Sequence, residues 1–140
     1  MEKPDRPRWF LRALLIAIFY LVVGIAFGAL AGDAASSQMR FIWRLAAWLV
    51  SGVAFAVHVW YEQDRLHNVP RVTAFHASLA AALGALLLAV SANVHGISAG
   101  SNHQPLLLIA LAAWPVMTAV PSFVVAFVLA ALFALWKRSM

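Results

Sequence analysis

From Leu106 to Trp136 the chain runs for 31 residues without a charged side chain. An α-helix needs about 20 apolar residues to cross a bilayer core of roughly 30 Å, so this run sets lipid as the solvent in which the chain folds. Three further runs meet the same requirement. Trp9 to Ala31 carries Arg12, close enough to its end to snorkel towards water. Phe41 to Tyr61 carries Arg44 near its start, and Val72 to Ala92 carries no formal charge. No run alternates apolar and polar residues as the strands of a membrane barrel do. The sequence therefore predicts an all-α polytopic membrane protein. It would be a four-helix transmembrane bundle forming a single domain over residues 1–140, with helices at about 9–32, 41–67, 71–94 and 105–137.

Charged residues make up 11% of the chain, against roughly 25% in soluble domains, and they gather between the apolar runs. The net charge of +5 comes from Lys and Arg at the ends of those runs. No basic helix or aromatic-basic motif accompanies them, which argues against nucleic acid as a partner. The expected partners are the lipid bilayer and a second copy or other membrane proteins. The absence of cysteine excludes disulfides, thiolate metal sites and cysteine nucleophiles. There is also no nucleophilic serine motif and no glycine-rich phosphate loop. Lys3, Arg6 and Arg8 precede an apolar stretch ending in Ala29–Leu30–Ala31, which looks like a signal-peptide cleavage site. Signal peptides carry apolar regions of about 7 to 15 residues, and this longer one is expected to stay as a transmembrane helix.

Orientation follows from Lys and Arg near the helix ends. Four spans put both termini on the same side as the turn after the second helix. That side holds Lys3, Arg6, Arg8, Arg12, Arg65, Arg71, Lys137 and Arg138, against Arg40 and Arg44 on the other. The bias predicts cytoplasmic termini, with a bacterial inner membrane as the expected location. Trp9, Trp60, Tyr61 and Trp136 suit an aromatic belt on the cytoplasmic face, and Trp43 one on the opposite face. The segment NVHGISAGSNHQP, which contains His95 and His103, reads as a flexible loop on the far side, where surface histidines are the expected reading. The two halves of the chain do not mirror each other, so an inverted-repeat transporter gains little support.

Gly24, Gly28 and Gly32 form a GxxxGxxxG series on one face of the first helix. Small residues at this spacing let two backbones approach where lipid removes the hydrophobic drive for association. Ala77, Ala81, Ala85 and Ala89 repeat the spacing in the third helix, and Ala126, Ala130 and Ala134 in the fourth. These faces serve either packing within one bundle or association of two copies. Pro115 and Pro121 each remove a backbone donor from the fourth helix, predicting a kink or a break.

In the second helix Arg44, Ser51, His58 and Arg65 recur every seven residues, with Glu62 one turn beyond His58. At 100° per residue they share a narrow stripe, and a polar stripe in a membrane should face the bundle interior or a water-filled cavity. Asn68 and Pro70 stop the helix and start the next. Pairing the two helices about a pivot near Val69 sets Glu62 level with His76, with His58 about one turn deeper. Two imidazoles and a carboxylate would then meet just inside the interface. A solvated turn with structural ion pairs, a proton or ion pathway and a divalent-metal site on His58, Glu62 and His76 all draw on these groups. A bis-histidine haem is disfavoured, because only one histidine lies in the second helix and His76 and His95 are roughly 28 Å apart along the third. No cofactor is predicted, although metal or haem remains open.

The segment RLHNVP at Arg65 to Pro70, together with the four helices and the chain length, faintly resembles the membrane-associated glutathione-handling enzymes, the MAPEG group. Those enzymes carry an Arg/Asn-rich motif in which Asn is followed three residues later by Glu. Arg71 stands there in this chain, and the resemblance covers about six residues, which puts the implied enzyme activity in doubt. The leading expectation is a non-enzymatic integral membrane protein, a subunit or accessory factor associating through its small-residue faces. A small transporter or channel using the helix 2 stripe comes second, a metal- or haem-binding protein third, and an enzyme last.

The charge bias predicts a labelling pattern. Ser101→Cys should react with a membrane-impermeant thiol reagent on intact cells, and Asn68→Cys only after the membrane is opened. Reaction of N68C on intact cells would reverse the orientation.

Overall fold

The computed structural model describes residues 6–100 and 104–139. They form α1 (Arg6–Gly32), α2 (Ser37–Asp64), α3 (Pro70–Ser98) and α4 (Gln104–Ser139). Each helix is long and apolar enough to cross a membrane, and no strand occurs among the described residues. Successive helices run in opposite directions. Trp9, Glu62, Asp64, His76 and Lys137 meet at one end, here the terminal end. Phe27 meets Trp43, and Asn93 meets Leu107, at the other, the loop end. The all-α transmembrane bundle expected from the apolar runs is the fold observed.

The helix ends differ from expectation for identifiable reasons. α2 starts at Ser37 rather than 41, because the side chain of Ser36 in extended backbone accepts the Met39 N–H at 3.1 Å and caps it. It stops at Asp64 rather than 67. His67 adopts φ 53°, and the Asn68 N–H then bonds back to the Glu62 carbonyl at 3.3 Å. Pro70 opens α3 at its first turn, where its missing N–H costs nothing. α3 continues to Ser98, so His95 stands on the last turn of a helix and not in a loop. Asn93, also assigned to that loop from sequence, is buried, and its amide bridges α3 to α4 by donating to the carbonyls of Ala89 (2.9 Å) and Leu107 (2.7 Å). His103 lies outside the described residues.

α4 is a single unbroken helix of 36 residues that contains both prolines. Lacking N–H groups, Pro115 and Pro121 leave the carbonyls of Leu111 and Met117 without their usual donors. At 1.5 Å per residue α4 is about 54 Å long, so it tilts in the bilayer or projects beyond it.

The core is inverted relative to a water-soluble bundle. Apart from Val23 and Val59, every buried apolar residue among those described is alanine, while leucines, valines and phenylalanines point outwards. Lipid solvates large side chains as well as a protein core does, so close backbone approach and van der Waals contact decide which faces meet. α3 is the hub. It packs along both α1 and α4, whose backbones do not approach each other closely among the described residues. α2 is held differently. Its buried residues, His58, Val59, Glu62 and Gln63, all lie near its C-terminal end, and none from Ser37 to Val57 is buried.

The glycines show which approaches are close. A Cβ on Gly84 of α3 would stand 2.9 Å from the Cβ of Tyr20 in α1, and one on Gly24 would stand 2.6 Å from a methyl of Leu88. Gly28 and Gly32 have nothing within 4 Å of that position. Of the GxxxGxxxG series, only Gly24 therefore serves contact within the chain.

These distances rank three substitutions. Gly84→Ala meets an atom beside the backbone, so the helices must part, at about 1–3 kcal/mol. Gly24→Ala should cost less, because Leu88 can change rotamer. Gly28→Leu should leave the melting temperature of the monomeric protein unchanged. Thermal melting in one detergent checks the order, and a G28L protein that melts lower than G84A would contradict it.

Candidate functional site

The tight turn at residues 65–69 folds α3 back along α2, and the carboxylate of Glu62 lies between them with 2% of the residue exposed. An ionisable group at membrane depth is expensive unless its lone pairs are used, and Glu62 uses both oxygens. Nδ1 of His76 lies 3.1 Å from Oε1 and 3.0 Å from Oε2. The Asn68 side-chain amide donates to Oε2 at 3.0 Å. Asn68 thus serves Glu62 twice, since its backbone N–H also holds the Glu62 carbonyl. When Glu62 is ionised it can only accept, so Nδ1 is the protonated nitrogen of His76 in that state.

A second layer fixes these groups. The His76 ring stacks on Trp9 of α1, with centroids 4.7 Å apart and planes 7° apart. Beside Glu62, the Gln63 amide donates to the Asn68 carbonyl at 3.0 Å and to the Thr73 hydroxyl at 2.9 Å, stitching α2 to the start of α3. Outside, Lys137 reaches Asp64 at 2.7 Å, a partly exposed pair that adds little stability. The Arg12 guanidinium lies 5.9 Å from the centre of the Tyr61 ring, within cation–π range.

His58 is the exception in this otherwise satisfied cluster. It is buried, and its Nε2 has no hydrogen-bond partner. The nearest acceptor is Oε1 of Glu62 at 3.7 Å, beyond hydrogen-bond distance. Buried unpaired nitrogens are rare enough to need a reason.

The stripe read from α2 thus divides. His58 and Glu62 join His76 in the cluster. Arg65 does not, being exposed beside its neighbour Asp64. Arg44 and Ser51 belong to a cleft where α2 diverges from the bundle. Two cavities of about 730 and 650 Å³ share Gly24, Ala47, Trp48 and Trp114 in their walls and so lie side by side along the cleft. The part towards the loop end is lined by Gly28, Gly32, Arg40 and Arg44. The inner part reaches Tyr20, Ser51 and Phe55, with Pro121 and Ser122 of α4 opposite. Phe55 lies about one turn above His58, so the inner cavity ends close to the cluster. Among the described residues, no three His, Cys, Asp or Glu side chains are arranged to hold a metal ion. His76 already commits one nitrogen to Glu62 and a ring face to Trp9.

Several members were not found from the sequence. Trp9 read as an interfacial anchor, because nothing in the sequence says that α1 packs on α3. Asn68 read only as a helix stop, and Gln63 and Thr73 not at all. Pairing about Val69 sets Gln63 level with Phe75, two residues past its observed partner Thr73, so the pairing does not reach this contact.

The geometry predicts coupled energetics. Breaking a buried ionic pair costs about 3–5 kcal/mol, and the partial exposure of His76 places Glu62→Gln or His76→Gln at the low end. The double substitution should cost less than the sum of the two by at least about 1 kcal/mol. A double-mutant cycle by thermal or denaturant unfolding measures this, and simple additivity would reduce the cluster to independent side chains.

No family model, curated protein or solved structure matches this chain.

Proposed function

We propose that this chain is a small proton-linked membrane transport protein. The cleft between α1, α2 and α4 would take the cargo, and the cluster of His58, Glu62 and His76 would bind the proton. One observation carries the reading: a carboxylate buried inside a spanning helix stands between two imidazoles, one of which has a nitrogen with nothing to bond. A purely structural pair needs His76 and Asn68 but gives no use to His58. A proton site does. A proton taken up on Nε2 makes His58 a donor facing Glu62, and a small side-chain rotation would close the gap from 3.7 Å to about 3 Å. Transfer leaves His58 neutral and Glu62 a carboxylic acid. Neutral Glu62 accepts more weakly from Asn68 and His76, and these are the bonds that fasten α2 to α3.

The arrangement of α2 connects proton and cargo. The helix is buried only near its C-terminal end, and from Ser37 to Val57 it is held by partly exposed contacts such as Trp43 with Phe27, so loosening the buried end would change the width of the cleft. The Lys/Arg distribution supports a bacterial inner membrane with the cluster on the cytoplasmic side and the cleft open towards the outside. A second reading, a subunit or accessory factor of a larger membrane assembly, is favoured by Gly28 and Gly32, which present small faces with no neighbour.

Purified protein in sealed vesicles with an internal pH-sensitive dye tests the first reading. An imposed gradient should drive proton entry well above empty vesicles. Glu62→Gln should reduce it at least about tenfold, and Arg65→Gln should leave it unchanged. Glu62→Gln protein that keeps its helical spectrum and its full proton flux would overturn the proposal.

A further inference from the structure

The cleft has a chemical polarity that narrows its cargo. Its walls are aromatic and aliphatic, with Trp48 80% and Trp114 53% exposed. Its floor towards the loop end is the glycine face of α1, where Gly28 and Gly32 leave room beside the backbone. Only at the mouth does it carry charge, and there the charge is of one sign. Arg40 and Arg44 are one helical turn apart on α2, both exposed and both lining the opening. Neither has a carboxylate within ion-pair distance among the described residues. No acidic residue lines either cavity. Asp33, the acid of the α1–α2 connection, is not among the lining residues.

An unpaired arginine within a spanning helix needs an anionic partner or water, and its planar fork suits phosphate in particular. Below the pair, the space turns apolar for the remaining length of the cleft, down to Phe55 and Val125. Charge at the rim with a long greasy slot beneath it is complementary to one kind of molecule, an anionic headgroup joined to an alkyl chain. A soluble anion would leave the slot empty, and a neutral apolar solute would leave both guanidinium groups without a partner. The only polar features at depth are the hydroxyls of Tyr20, Ser51, Thr118 and Ser122, together with the Met117 carbonyl that Pro121 leaves without a helical donor.

We infer that the cleft binds an anionic phospholipid drawn from the surrounding bilayer, with its phosphate on Arg40 and Arg44 and an acyl chain between Trp48 and Trp114. The inference rests on the cleft being the cargo site in the function proposed above, but not on proton binding. The Glu62 cluster serves as an internal control.

Binding is measured on the full chain in a non-ionic detergent, by the shift in melting temperature and by native mass spectrometry on titration with phosphatidylglycerol, phosphatidylcholine or inorganic phosphate. Phosphatidylglycerol should bind at a ratio of one and raise the melting temperature. Its affinity should exceed that of phosphatidylcholine by at least about tenfold, a difference equivalent to 1.4 kcal/mol. The preference should disappear in Arg40→Gln/Arg44→Gln, persist in part in Arg40→Lys/Arg44→Lys, and persist fully in Glu62→Gln. Loss of proton flux with lipid preference intact would defeat the proton reading alone. Equal binding of the two lipids, or a preference that survives in the glutamine variant, would show ordinary boundary lipid and overturn the inference. So would inorganic phosphate matching the lipid, or a lipid-free dimer that Gly28→Leu dissociates, because a second copy would then fill the cleft. If the glutamine variant fails to fold, a lysine variant whose preference matches that of the unaltered chain in full has the same overturning force.

Discussion

Everything distinctive about this bundle depends on how α2 is fastened. In water, an amphipathic helix is pressed onto its neighbours along its whole apolar face. In lipid that pressure is absent, and a helix stays where small residues permit close contact or where polar groups have no other partner. α1, α3 and α4 satisfy the first condition through alanine and glycine, as the contact of Gly84 with Tyr20 shows. α2 also lies along α1, where Trp43 meets Phe27, but its buried groups satisfy the second. Its attachment is the network running from Glu62 to His76 and Asn68, and from Gln63 to Thr73. Around that network lies a small apolar patch, in which Val59 packs with Ala74, Ala77, Ala126 and Ala130. The buried part of this attachment is confined to one end, and the cleft opens beyond it.

The cluster was legible in the sequence because it depends on few unknowns. Adjacent helices joined by a short turn must be antiparallel, and a pivot at Val69 leaves equal lengths of chain to Glu62 and His76. Trp9 was not legible, because its place depends on which non-adjacent helices touch, and alanine faces on α3 could have received either α1 or a second copy. The glycine series was half legible. Its spacing shows a face that admits close approach, but only the structure shows that Leu88 stands opposite Gly24 and nothing stands opposite Gly28. Helix ends were misplaced where side chains outside the apolar pattern decide them. Ser36 draws α2 back to Ser37, and α3, tied to α4 by Asn93 and Leu107, runs on to Ser98.

The seven-residue spacing from Arg44 to Arg65 suggested one polar face with one role. A straight helix keeps such a face aligned, but what the face meets changes along its length. Near the turn, α3 is close enough for His76 to reach Glu62. Two turns before His58 no residue of α2 is buried, and Ser51 lines the cleft. Arg44 lies 18 residues from Glu62, or about 27 Å along the axis, nearly the thickness of a bilayer core. One stripe therefore carries two arginines towards one interface and the His58–Glu62 pair towards the other, with Ser51 between them.

That arrangement limits how the two ends can influence each other. Hydrogen bonds do not connect them, since Ser51 is too far from both Arg44 and His58 for direct contact at two helical turns in each direction. Direct electrostatic coupling across about 27 Å is weak, except through a dry interior. A rigid helix is a better carrier, because an α-helix fixed at one end moves at the other when its attachment yields. Coupling then requires two arrangements of the attachment that differ by a few kcal/mol. In the proposed function Glu62 would provide them: ionised, it accepts from His76 and Asn68, and protonated, it would accept more weakly and could turn its proton towards the unpaired nitrogen of His58. Under the same proposal a ligand held through Arg40 and Arg44 would favour one of these arrangements and shift proton binding. Glu62→Gln would then change the strength of binding of both lipids alike and leave the preference for the anionic headgroup, which is set at the arginines.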